Sequence, residues 1–363
     1  MVKKFIAALF LMSLAIPYAI ADEPTLISFT NDQMKMKLIK TITGKISPKS
    51  VKSSGNGIVS AHNMMYSHSV TFYDSNTLKL IKTLPDSVDL NKLGFKKYSG
   101  LYRGAPVEGA YSPDGKYMYF TNYAMYGKGQ NKEGHDVCSP SSGYDTSFLS
   151  RVRLSDYTID AVYPVGAVPK VVATTPDGKY VLVSNWCSYT VTVISTELQK
   201  VVKSIKIGRY PRGIAISQDS TYAYVAEMGG NRIHRIDLSD FSESYIPIGS
   251  NPRAVVLSPD NTKLYATLNA SGKVIAWDLA NNKSLGTVTT GKAARSLDIS
   301  SDGSALFVVN FFSGTVSKVS TKTMKTTQTI KVCNEPIGVT FDNQTGRTWV
   351  ACYGGSIKVF SNQ

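Results

Sequence analysis

The sequence predicts an all-β chain, a seven-bladed β-propeller of four-stranded antiparallel blades closed by an N-terminal strand that completes the last blade. Three observations carry this expectation. A turn string recurs about every 40 residues, the runs between turns alternate apolar and polar residues, and the last repeat lacks a fourth strand that reappears near the N-terminus. Composition agrees. With 363 residues, 42% of them apolar and 18% charged, the chain is a packed one rather than a disordered one.

The first segment reads as an export signal. Lys3 and Lys4 supply the positive region, Phe5 to Ile16 the apolar region, and Ala19-Ile20-Ala21 the small-x-small pattern for cleavage after Ala21. The expected mature chain, residues 22–363, is a single propeller domain, periplasmic or secreted, with its four cysteines in oxidising surroundings. No later stretch comes near the roughly 20 apolar residues a spanning helix needs, so the protein is expected not to span the membrane.

The repeat then fixes the blades. Ser112-Pro113-Asp114-Gly115-Lys116-Tyr117 recurs as Thr175-Pro176-Asp177-Gly178-Lys179-Tyr180, and its aspartate returns at 219, 260, 302 and 342, with a degenerate copy at Ser54-Gly55-Asn56-Gly57. Within the unit after Pro169, strands are expected over Val171–Thr174, Tyr180–Ser184, Thr190–Ile194 and Val201–Ile205. The repeated aspartates are turn residues that bind their own backbone. Two intervals are lengthened by insertions, at 85–102 and 123–147. The second is rich in Gly and Pro and is expected not to form strand but to hang over the channel as a lid. The chain stops at Gln363, three residues after the last third strand, whereas Lys37-Leu38-Ile39-Lys40-Thr41-Ile42 repeats the fourth-strand pattern of Lys79–Leu84 and Lys200–Ile205. That N-terminal strand is therefore expected to pair the open edge of blade 7.

The second strands Tyr180-Val181-Leu182-Val183-Ser184-Asn185, Tyr117-Met118-Tyr119-Phe120-Thr121-Asn122 and Leu264-Tyr265-Ala266-Thr267-Leu268-Asn269 resemble those of the YVTN-repeat seven-bladed β-propeller family. The resemblance covers nearly all of the mature chain. Blade 1, with His62-Asn63-Met64-Met65, and blade 7, with Cys352 in place of Asn, depart from it. It implies the fold, and a similarity in fold to propeller lactonases, but fold alone names no activity.

Candidate chemistry gathers at one mouth of the channel. The position after the first residue of each inner strand reads Lys49, Val107, Lys170, Arg212, Arg253, Arg295 and Ile337, five of seven being basic. Lys170, Arg212, Arg253 and Arg295 belong to consecutive blades and should form a crescent, with Glu108 and Glu335 opposite. Like charges gathered in a narrow mouth call for an anion, and Arg forks suit carboxylate or phosphate. The competing reading has these side chains splay into water or pair with acids such as Glu227. Trp186, Phe311 and Tyr353, with Tyr123, Met228, Asn231 and Phe312, are candidate walls. The expected disulfides are Cys138–Cys187 and Cys333–Cys352, which alone join neighbours on this blade map, the rival being one bridge and two free buried thiols.

Catalytic and metal signals are poor. His62, His68, His135 and His234 are scattered, and no haem-attachment, nucleophile-elbow or phosphate-loop motif is present. No cofactor is expected. The leading reading is a non-catalytic, monomeric binding or scaffold propeller that presents its basic mouth to an anionic peptide, glycan or nucleic acid. The alternatives are a propeller lactonase or hydrolase and a single-stranded nucleic-acid binder.

Overall fold

The computed structural model describes residues 30–363, so the expected export signal and cleavage site lie outside the described residues. Seven antiparallel sheets form the seven blades. The expected strands of blade 3 appear as Tyr180–Asn185, Thr190–Ser195 and Lys200–Lys206, and its inner strand begins earlier, at Pro169. The second strands are the most deeply buried because blades pack on both of their faces. All of Val181 to Asn185 are buried, and so are all of Ala305 to Asn310. Among the described residues the one helical element is the 3-10 turn Pro140–Ser142, and no helix is long and apolar enough to cross a membrane.

The turn aspartates behave as the sequence implies. Asp114, Asp177, Asp219, Asp260 and Asp302 each accept a hydrogen bond from the backbone N–H two residues on, at 3.0–3.1 Å. Asp342 differs. It is fully buried and accepts bonds from Thr345 and from Ser53 of the next blade, tying blade 7 to blade 1.

Closure is the feature that positions everything else. The N-terminal strand Met36–Ile42 pairs antiparallel with Ser356–Asn362, completing a sheet with Arg347–Cys352 and Pro336–Asp342. Met36 is buried in the core between blades 6 and 7 with Phe307, Phe341 and Phe360. The segment before it is also held. Lys318, fully buried on blade 6, donates from Nζ to the carbonyls of Asn31 and Met34 at 2.9 Å each, and Asp32 accepts from Ser320. Between blades 7 and 1, Trp349, Ala351, Ile357 and Val359 pack against Val51, Val59, Ala61 and Tyr73, so the seam is as apolar as the other interfaces.

The insertions depart from expectation. Strand Tyr117–Tyr126 runs on into the second insertion, where Met125 and Tyr126 pair with Gly104 and Arg103, so the segment taken to be strand-free begins as strand. Met125 and Tyr102 hold it, buried together in a satellite core. In the first insertion Ser87–Asp89 pairs with Leu101–Arg103 and gives blade 2 a short fifth strand.

Candidate functional site

Every inner strand carries a bulge at its mouth end. The register slips after Pro48, Pro106, Pro169, Pro211, Pro252, Ala294 and Pro336. In blades 3 to 7 the residue before this position, Val168, Tyr210, Asn251, Ala293 or Glu335, has φ between +53° and +60°. A left-handed residue followed by a bulge re-aims the next side chain, and bulges recur where a strand end must present a group. The basic side chains so re-aimed are those of Lys170, Arg212, Arg253 and Arg295, while Lys49 on blade 1 follows the bulge alone. Preceding blades tie down the backbone there. Ser50 donates to the carbonyl of Val107, Thr121 to that of Lys170, and Ser184 to that of Arg212. Beneath them His62 meets Ser50 at 2.8 Å and is pushed down to about 3 by burial, so it is a neutral packing group. Residue 109 must be glycine here, because a Cβ would lie 2.2 Å from His62 Nε2.

Lys170, Arg212 and Arg253 are each less than one-tenth exposed, and Lys49 and Arg295 are half-buried. Arg212, Arg253, Arg295 and Glu108 line one end of a central channel of about 430 Å³. Burial pushes the Lys170 ammonium down to about 7, with Asp136 opposing and Arg212 and Arg253 reinforcing the shift. Burial, then the four other cations, holds Lys49 well below its ordinary value. Burial, then Arg212 and Arg295, acts on Arg253 in the same sense. An arginine does not shed its proton at ordinary pH, so this cost is retained in the fold as mutual repulsion.

The acids present are few. Glu108 Oε1 lies 3.9 Å from Arg212 Nη2, and burial raises its carboxyl despite that neighbour. Glu227 is not a partner of the crescent. It faces Arg232 and His234, each at 3.2 Å, and accepts from the Arg209 N–H, because its strand position points outward between the second and third strands of blade 4.

The residue that the sequence reading missed is Asp136, on the lid, 3.0 Å from Lys170 Nζ. Its side chain is 79% exposed; partial desolvation works against its charge, but Lys170 and the other mouth cations outweigh it and hold the carboxyl below its usual value. The lid is pinned by the disulfide Cys138–Cys187, and the second disulfide, Cys333–Cys352, joins the ends of blade 7. Trp186 is part of that pin rather than a free wall. It stacks on Tyr210 at 4.4 Å and donates from Nε1 to the Asp136 carbonyl. Tyr189 donates to the Cys138 carbonyl, and Tyr123 to that of Gly134. Phe311 is buried beneath Arg295, whose guanidinium carbon lies 3.5 Å from the ring centre, while Phe312 is 71% exposed. Tyr353 lies 5.1 Å from Lys49 Nζ. Met228 is a sulfur contact of Arg253 at 3.8 Å, and Asn231 is exposed.

What the arrangement offers is a recess of positive charge, lidded on the side of blades 2 and 3 and open towards blades 6, 7 and 1. No family model matches this chain, and no curated protein matches it. Among solved structures it is similar to a chain described as hydrazine synthase of Kuenenia stuttgartiensis, at 16% identity and a TM-score of 0.67, over 88% of this chain and 96% of that one. At that identity the likeness is one of fold, a seven-bladed ring.

Proposed function

We propose that this chain is an exported, non-catalytic binding propeller that presents its basic channel mouth to an anionic ligand or partner. The observation that carries the reading is a buried guanidinium with one nitrogen left unpartnered. Arg212 is 6% exposed, and its Nη1 has no hydrogen-bond partner among the described residues. Such a group is costly to leave unmet, and an anion delivered to the mouth meets it. The two disulfides fit an oxidising compartment and, with the N-terminal signal pattern, support a periplasmic or secreted location.

Thermal unfolding against citrate, a sulfated polysaccharide, oligothymidylate and divalent metals tests this. Anions should raise the midpoint in a manner weakened by salt, and Arg212→Ala, Arg253→Ala and Arg295→Ala combined should remove that rise. An equal rise in the triple variant overturns the reading. Stabilisation only by a metal that EDTA reverses would favour the hydrolase alternative.

A further inference from the structure

The cations of the mouth gather at one end of the channel rather than along an extended stripe, which suits a compact anion better than a polymer. Three guanidinium groups that keep their charge, and two lysines whose charge burial weakens, face the carboxylates Glu108, Asp136 and Glu335. Among the described residues Arg212 Nη1 and Arg295 Nε lack hydrogen-bond partners; they belong to blades 4 and 6, and on blade 5 between them stands Arg253, whose Nε is already spent on the Arg295 carbonyl. A monocarboxylate offers two oxygens with about four acceptor positions and a single negative charge, and one guanidinium fork already engages both of its oxygens. Three guanidinium groups arriving from three blades suit the three free oxygens of a phosphate monoester, which carries about two negative charges near neutral pH.

The exit route for the rest of such a molecule is also defined. Asp136, Tyr123 and Trp186 cover one half of the mouth. On the open half stand the rings of Tyr66 and Phe312, 91% and 71% exposed, with Tyr353 between their blades. Exposed aromatic faces beside a cationic recess stack planar rings. We infer that the mouth is a site for a small phosphate monoester whose phosphoryl group enters between Arg212, Arg253 and Arg295 and whose organic part carries a ring that leaves over Phe312 and Tyr353. This inference rests on the reading of the mouth as an anion site and names the class of ligand it takes.

Isothermal titration with phenyl phosphate, inorganic phosphate, benzoate and oligothymidylate tests it. Phenyl phosphate should bind one per chain and about tenfold more tightly than benzoate. Arg212→Gln should weaken it by about thirtyfold or more, and Phe312→Ala by about fivefold while leaving inorganic phosphate unchanged. If Arg212→Gln fails to fold, Arg295→Gln, at a half-exposed position, makes the same test. Benzoate binding as tightly as phenyl phosphate overturns the choice of phosphate. Oligothymidylate binding where phenyl phosphate does not overturns this inference and leaves the anion reading standing. If no anion binds, both fall.

Discussion

Replacing Cys138 and Cys187 together by Ala separates two roles of one crosslink. The bridge closes 49 residues, and Cys333–Cys352 closes 19. Restriction of the unfolded chain by loops of these lengths is worth about 4 and about 3 kcal/mol, so entropy alone separates the two removals by less than about 1 kcal/mol. The first bridge also holds the lid contacts from Trp186, Tyr189 and Tyr123, each net hydrogen bond being worth about 1 kcal/mol. Loss of the 138–187 bridge should therefore exceed loss of the 333–352 bridge by about 2 to 4 kcal/mol in urea unfolding. Because the pin keeps Asp136 on Lys170, the same variant should bind small anions more tightly, since a competing carboxylate has left. Equal losses for the two bridges, or a destabilised variant with unchanged anion affinity, would refute the claim that the lid holds Asp136 at the mouth.

Two further outcomes follow from the structure. Lys170 is held near 7 against an ordinary 10.5, so the folded chain binds fewer protons than the unfolded chain between those values. Stability should rise with pH across that window, anion affinity should fall as pH passes 7, and Lys170→Met should flatten both trends in midpoints and titrations run from about pH 6 to about pH 10. Removing residues 30–42 strips blade 7 of its outer strand and the core of Met36, so light scattering should show oligomers built on the open edge, and a stable monomer would contradict the closure.

The fold was legible because its signals repeat. The turn aspartates mark six blades, and the Lys37–Ile42 run matches other fourth strands closely enough to place it, one residue short of the observed start at Met36. The basic positions were legible for the same reason, since a bulged site that recurs in seven blades can be aligned within one chain. Asp136 was not. It lies once, in an insertion with no counterpart in other blades, and its only sequence clue is Cys138 two residues on, whose disulfide brings it to blade 3. Lys318 was likewise hidden, because its partners are backbone carbonyls 284 and 287 residues away. Glu227 misled because an acid at a mouth loop looks like a counterion, whereas its strand register turns it towards Arg232 and His234.

The most direct measurement compares stability of the wild-type chain with that of Arg212→Met, Arg253→Met and Arg295→Met combined, at low salt, with and without citrate. If these cations are held together for an anion, the neutral variant should be the more stable by about 1 to 4 kcal/mol without citrate, and the wild type should regain that difference as citrate is added. A variant that is less stable in both buffers, with citrate shifting the two chains equally, would contradict the account.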